Sequence, residues 1–411
     1  MIRKFFRRLA AALFGCALVL AGLAAWVYVH LPDTFLVPQG QQLAIAQMPW
    51  IAPLHRMGSS EAGAQEVGSS RNVTLSLWGV VPVKTVRAVV VDRRAVAVCG
   101  TPFGIKMFSD GAMVVGFTDI RTAAGYCNPA KEAGLKLGDL LVSIGGQPAQ
   151  NNEQVAAALQ QSAGAPVEVV FLREGVRHTA SIIPVADAAG EGYKTGMWVR
   201  DSSAGIGTLT FVDNATGVYA GLGHSISDVD TGERIALRSG EIVPVSITGY
   251  VVGAVGSPGE LKGAFTTDIA MGDIRINGPT GVYGRIRTLA PGPGQDRTVA
   301  QAQEVREGPA TILTTIAGGA AREYSVEIER VSLAEEDPNR NMVVRVTDEA
   351  LLSATGGIVQ GMSGSPILQD GRLVGAVTHV LVNDPTRGFG IFAQTMLETA
   401  DGVARQQDEA A

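Results

Sequence analysis

The sequence predicts a mostly β protein tethered to a membrane by one N-terminal helix. Three observations carry that expectation. Glycine is abundant, at 51 of 411 residues, while aromatics are only 6%, a balance that favours many turns and short strands over long helices. From Val73 onward, stretches such as VTLSLWGVVPVKTVRAVVVDRRAVAVCG alternate apolar and polar residues, with β-branched residues dominating, the period of half-buried strands. Before them, Arg3, Lys4, Arg7 and Arg8 precede an uncharged apolar run from Leu9 to Val29.

As a helix, residues 9–29 span about 30 Å, the thickness of a bilayer core. The basic flank, residues 1–8, stays in the cytoplasm by the positive-inside rule, so everything after His30 lies outside. A cleaved signal peptide is the rival reading, because LAGLAAW offers small residues near the end of the run; the run is long for a signal sequence, and an uncleaved anchor is preferred. LFGC at Leu13 to Cys16 only faintly resembles a lipoprotein box, with too short an apolar stretch before it.

Composition narrows the rest. Hydrophobic residues at 46% and charged ones at 18% allow real cores and argue against wholesale disorder. Net charge is −6, with no basic stripe beyond the N-terminus, so nucleic acid is not an expected partner. Cys16, Cys99 and Cys127 are the only cysteines; Cys99 and Cys127 could pair, but no spacing demands it and no Cys/His cluster points to zinc.

Residues 30–74 read as a linker, with Pro32, Pro38, Pro49 and Pro53 followed by the small, polar MGSSEAGAQEVGSS. Residues 75–187 give strands and then a compact unit at about 101–187. Its order is loop, two strands, a short helix, the strand pair in GDLLVSIGGQP with a tight Gly145-Gly146 turn, a helix from Asn152 to Gln161, and two closing strands. Residues 188–405 are again Gly-rich and strand-like, ending in a helical stretch from Phe392 to Arg405 and a tail at 406–411.

The chemistry concentrates in GGIVQGMSGSPILQDGRLVGAVTHV, residues 356–380. A serine hydroxyl attacks only with a base in hydrogen-bond reach and N–H donors for the oxyanion. Glycines around Ser363 permit the sharp turn such a loop needs, and the N–H groups of Gly361 and Ser363 are the candidate oxyanion hole. The Asp370-Gly371 hairpin after it fixes the loop on a rigid element. Ser365 is the competing hydroxyl. Of five histidines, His30 borders the anchor, His55 lies in the linker and His178 in a hairpin of the compact unit. His224, in YAGLGHSISD, is the candidate general base, against a turn histidine capped by Asp228. His379 reads as a packed or supporting histidine. For the acid, Asp268 lies 44 residues after His224 and 95 before Ser363, gaps close to those between the same roles in chymotrypsin; Asp348 is only 15 before Ser363.

Two resemblances rest on these residues. The stretch containing Gly104-Ile105-Lys106-Met107 and PAKEAGLKLGDLLVSIGG resembles a PDZ domain, which is β-rich with two helices. It implies that Gly104, Ile105, Lys106 and Met107 form a loop whose N–H groups hold a peptide C-terminus, with β-augmentation along the adjacent strand edge; a spacer without ligand is the alternative. GxSGxP with its hairpin looks like chymotrypsin-like serine peptidases. GLGHSISD together with VTDEALLSATGGIVQGMSGSPILQDGRLVGAVTHVLVNDPTRGFGI is similar to the SpoIVB peptidases, the stage IV sporulation serine peptidases, over nearly the whole chain.

That resemblance implies a double β-barrel peptidase domain at 188–405, with His224 as base, Ser363 as nucleophile and Asp348, in place of Asp268, as acid. It implies no cofactor or metal. It also implies a single-pass protein in the space between forespore and mother cell, which cuts itself near the N-terminus and is thereby released. Its protein substrate would be a regulator holding a membrane metalloprotease inactive, so that a pro-sigma factor is processed. The alternatives are a PDZ scaffold with a degenerate peptidase domain and an envelope quality-control protease, in which the peptidase usually precedes the PDZ domain. VLVNDPTRGFG is the expected neighbourhood of the substrate pocket.

Overall fold

The computed structural model describes residues 2–54, 66–190, 192–287, 294–318 and 320–408. Strands hold 48% of residues and helices 18%, so the mostly β expectation is met. Helix α1, Ile2–His30, is one helix long and apolar enough to cross a membrane. Its outer residues, such as Phe14 at 67% exposure and Val19 at 71%, face away from the protein, as a lipid-facing helix requires.

The helix ends in a small domain rather than a linker. Strands β1 (Thr34–Pro38), β2 (Ile51–Pro53), β3 (Ser70–Leu77) and β4 (Val81–Val91) form a sheet in the order β1-β4-β3-β2. Val27 and Leu31 from the end of α1 pack with Phe35, Val37 and Leu75 in its core. The linker expectation for residues 30–74 therefore fails over 31–53 and 70–74. Two of its four prolines, Pro38 and Pro53, are strand ends, which is where a sheet tolerates them. Apolar pairs such as Phe35 and Val37 were the stronger signal. Most of the small polar run, with His55, lies outside the described residues.

Two 16-residue strands organise the middle of the chain. Strand β5 (Pro102–Phe117) pairs along its length with β9 (Met197–Val212), from Pro102↔Thr208 to Phe117↔Met197. Between them in sequence lie β6 (Leu140–Ile144), α2 (Asn152–Gln161), β7 (Val167–Arg173) and β8 (Val176–Ile182), giving the sheet order β8-β7-β6-β5-β9. Asn151 caps α2, its side chain accepting from the Gln154 N–H, and Leu141, Ile144, Val155, Val169 and Phe171 fill the space beneath. The buried Asp139 is held by Arg173 at 2.7 Å. These residues make a compact unit that overlaps the one expected at about 101–187 but starts later, in the second half of β5, and takes in the first half of β9 beyond residue 187.

The second half of β5 and the first half of β9 belong to this unit, and the remaining halves belong to the peptidase region. There Pro102–Ser109 is flanked by β9 on one side and by β10 (Leu237–Val251) on the other. This corrects the expected carboxylate-binding loop. Gly104, Ile105, Lys106 and Met107 form the middle of an interior strand: Ile105 lies opposite Gly205 and Ile242, and Lys106 opposite Ala204 and Glu241. Their main-chain groups serve two ladders, so no nest of free N–H groups exists. Ile105 and Met107 are buried, and the Lys106 ammonium meets the exposed Asp268 at 2.8 Å.

The C-terminal part closes a barrel of six strands: β11 (Gly308–Thr314), β12 (Arg322–Val331), β13 (Met342–Val346), β14 (Pro366–Gln369), β15 (Arg372–Leu381) and β16 (Asp384–Phe392), in the order β11-β12-β13-β16-β15-β14. Helix α3 (Glu349–Thr355) precedes the Ser363 loop, and α4 (Ala393–Asp408) packs Met396, Ala400 and Val403 against the strands. Among the described residues only this barrel closes; the expected first barrel is a half-barrel within the large sheet, with its core at Phe103, Met107, Tyr219 and Ile242. Cys16, Cys99 and Cys127 are all unpaired.

One contact fixes the end of α1. The buried Lys84 ammonium donates to the Tyr28 and Leu31 carbonyls and meets Asp33 at 2.8 Å, which satisfies carbonyls left over at the helix C-terminus. Lys84→Met keeps the stem but orphans these acceptors. It is expected to destabilise the first domain by about 1–3 kcal/mol, measured by urea denaturation of the detergent-solubilised protein.

Candidate active site

The nucleophile loop is positioned by its carbonyls. Thr208 of β9 donates its N–H to the Ser363 carbonyl at 2.9 Å and its hydroxyl to the Gly361 carbonyl at 2.8 Å. Thr210 donates its hydroxyl to the Gly364 carbonyl at 2.7 Å. Gly361 and Gly364 have φ of +94° and +93°, a region that favours glycine. A Cβ on Gly364 would sit 2.0 Å from the Thr208 carbonyl oxygen. With the carbonyls turned toward β9, the N–H groups of Gly361 and Ser363 have no backbone acceptor among the described residues. They are therefore available to an incoming oxyanion.

The two hydroxyls of the loop have different fates. Ser365 is fully buried and its Oγ has no hydrogen-bond partner among the described residues, so it is a packed turn residue. Ser363 faces a cavity of about 440 Å³ that His224, His379 and Gly361 also line. In this structure its hydroxyl donates to the Thr378 carbonyl at 2.6 Å.

His224 reaches the cavity from the opposite side. Strand Val218–Gly221 ends in two residues of left-handed backbone, Leu222 at φ +66° and Gly223 at φ +73°. Such a conformation is costly for leucine, and it turns His224 toward the six-strand barrel. A Cβ on Gly223 would lie 2.9 Å from the Thr378 methyl group, so only glycine fits the junction. The His224 Nδ1 lies 2.8 Å from the Ser225 carbonyl. A carbonyl can only accept, so Nδ1 carries the proton and Nε2 keeps its lone pair, the tautomer a general base requires. Burial lowers the His224 pKa from the ordinary histidine value, and the Ser225 bond opposes that shift.

His379 lies face to face with His224, ring centroids 4.4 Å apart and planes tilted by 31°. Its pKa is lowered by desolvation first and then by His224; Asp337 acts to raise it and Arg340 to lower it. The side chain is open to solvent at the cavity mouth, so water screens these effects. The sequence marked this residue as supporting, and the structure puts it in the cavity wall.

Neither candidate acid meets His224. The Asp348 carboxylate caps α3, accepting from the Leu351 N–H at 3.0 Å and the Ser325 N–H at 3.3 Å. Asp268 is exposed and paired with Lys106. Asp228, considered as a cap for His224, instead holds Arg200. The features that sequence reasoning missed are main-chain ones, chiefly the Ser225 carbonyl. A partial signal did exist in the Thr208/Thr210 spacing of two, which puts both hydroxyls on one face of β9. The expected pocket neighbourhood contributes Val380 and Val382 to the cavity.

The cap geometry separates two roles for Asp348. Asn caps about as well as Asp, whereas Ala loses roughly 1 kcal/mol. Asp348→Asn is expected to keep kcat within a few-fold of wild type and Asp348→Ala to lower thermal stability. Loss of the triad acid would instead cut kcat by about 10⁴ in the Asn variant. The His224 shift makes a second prediction. A base works only when neutral, and a lowered pKa keeps it neutral to lower pH. The acid limb of kcat/KM is therefore expected below pH 6.5, the ordinary histidine value. A pH–rate profile with a midpoint above that value would contradict the burial argument.

Comparisons with known proteins bear on this geometry. The family described as SpoIVB peptidase S55 matches residues 191–397, and the PDZ domain family matches residues 128–173. No curated protein matches the chain. Among solved structures, the crystal structure of the Rv3671c protease in an inactive form aligns at a TM-score of 0.28 and 15% identity, covering 48% of this chain and 84% of that one. A serine-to-alanine mutant of Rv3671c from M. tuberculosis H37Rv, also inactive, aligns at a TM-score of 0.26 and 14% identity, covering 48% and 82%.

Proposed function

This chain belongs to the SpoIVB peptidase family S55 and is a serine peptidase; we propose that Ser363 is its nucleophile and His224 its general base. The observation that carries the proposal is that both side chains line one cavity while the Ser225 carbonyl holds His224 with Nε2 unprotonated. In the reaction the Ser363 hydroxyl swings from the Thr378 carbonyl to His224 Nε2. Ser363 Oγ attacks the scissile carbonyl as its proton passes to His224, and the N–H groups of Gly361 and Ser363 take the oxyanion. His224 returns that proton to the leaving amine, and water, activated by the same imidazole, releases the acyl group.

The anchor and its basic flank support an enzyme whose peptidase domain faces the extracytoplasmic side. The family supports a signalling role in sporulation: cleavage of a regulator of a membrane metalloprotease in the space between forespore and mother cell, leading to pro-sigma factor processing. Self-cleavage falls in the small polar run ending at Ser70, whose composition suits an exposed, cleavable segment. The PDZ domain supports peptide binding, at a place other than residues 104–107.

A fluorophosphonate probe and N-terminal sequencing test both parts. Wild type is expected to be labelled and to carry a new N-terminus near residues 57–70. Ser363→Ala is expected to show neither. Labelling that survives in Ser363→Ala would sink the assignment, and an unshortened wild type would sink self-cleavage alone.

A further inference from the structure

We infer that the polypeptide substrate binds as an added β-strand on the outer edge of β9, over Ser202 to Ile206. The inference rests on the peptidase reading above and adds where the chain being cut is held. The parity of β9 fixes which main-chain groups point outward. The Thr208 N–H bonds the Ser363 carbonyl, and the Thr208 carbonyl accepts from the Leu222 N–H. Both groups thus point away from β5. Pro102, opposite Thr208, has no N–H to offer. The register with β5 is unbroken from Thr208↔Pro102 to Ser202↔Phe108. In an antiparallel ladder the direction alternates by residue, so Ile206, Ala204 and Ser202 also aim their N–H and C=O groups outward.

Among the described residues, none of those six groups meets a backbone partner. The edge is bounded at both ends. At Thr208 the Ser363 loop takes over, and at Asp201 the carboxylate accepts from the Asn152 N–H at the start of α2, at 3.0 Å. Between these stops Ser202 and Ala204 are exposed, and Ser203, Ala204, Gly205 and Ile206 line the same cavity as Ser363. A Cβ on Gly205 would meet nothing within 4 Å, so the sheet face above this stretch is open as well. An unpaired edge opening into a peptidase cavity two residues from the nucleophile's own tether suits one occupant: an extended peptide whose main chain completes the ladder. Recognition through main-chain groups requires an unfolded or looped segment and leaves side-chain choice to the cavity's apolar wall at Ile358 and Val359.

N-methylation scanning of a cleaved peptide, on wild-type enzyme, reads the strand directly. KM is expected to rise about tenfold, roughly the loss of one hydrogen bond, at alternating positions and to stay near the unmodified value between them. Ala204→Pro removes one outward N–H without touching the β5 ladder. It is expected to raise KM for the peptide similarly while leaving the rate of fluorophosphonate labelling at Ser363 unchanged, since a small probe needs no strand. A KM indifferent to N-methylation at every position, or an effect with no period of two, overturns the proposal. Failure of the probe to label wild type overturns the Ser363 assignment instead.

Discussion

The site depends on three hydrogen bonds that pull the carbonyls of Gly361, Ser363 and Gly364 onto β9. Each is worth roughly 0.5–1.5 kcal/mol, a modest sum, but their geometric effect is large. They hold the loop in a form that leaves the Gly361 and Ser363 N–H groups without a backbone acceptor among the described residues, and they attach a loop of the six-strand barrel to a strand of the other sheet. Because Leu222 bonds the same Thr208 through its N–H, the segment that presents His224 is registered against the segment that presents Ser363. One residue thus sets the relation between base and nucleophile. The glycines reflect this closeness: Gly364 against Thr208 and Gly223 against Thr378 leave no room for a side chain.

The same strand ties catalysis to the PDZ-like unit. Strands β5 and β9 each run from one domain into the other, so the two cannot shift independently without breaking a ladder of main-chain bonds. The unpaired edge of β9 lies between the tie to α2 at Asp201 and the tie to the Ser363 loop at Thr208. Anything that straightens or bends that stretch acts on both ends at once. A two-domain chain with a flexible joint would lack this property; here the connection is a sheet.

Sequence revealed most of the architecture because the strands carry strict alternation and the turns carry Gly, Asn and Asp. It singled out Ser363 and His224, which the structure brings to one cavity, because the glycines around each announce a backbone that must bend. It misplaced two segments for one shared reason. The prolines between 30 and 74 suggested a linker, and Gly104 suggested a loop, yet each segment also holds alternating apolar residues, Phe35 and Val37 in one, Ile105 and Met107 in the other. Burial of those side chains outweighed the turn-forming residues beside them. The Ser225 carbonyl was illegible in principle, since every residue has one and only the fold selects which is used. His379 was legible as a residue but not as a neighbour of His224, because sequence does not record that β15 passes the Leu222–Gly223 turn.

The absence of a carboxylate bond to His224 among the described residues shapes the chemistry. In a Ser-His-Asp triad the acid both fixes the tautomer and stabilises the imidazolium that forms as serine gives up its proton. The Ser225 carbonyl performs the first task as well as a carboxylate would. It performs the second less well, since a hydrogen bond to an ionised acceptor is about twice as strong as one between neutral groups. Burial also disfavours a charge on His224, with the Ser225 bond opposing it. The imidazole is thereby kept neutral and ready as a base, while the ion pair reached after proton transfer gains little. Such a base stays available to lower pH but takes the serine proton less readily, so the site gains most from substrates that arrive already extended and held. That balance places the burden of specificity on the walls and edge of the cavity rather than on the reactivity of the serine.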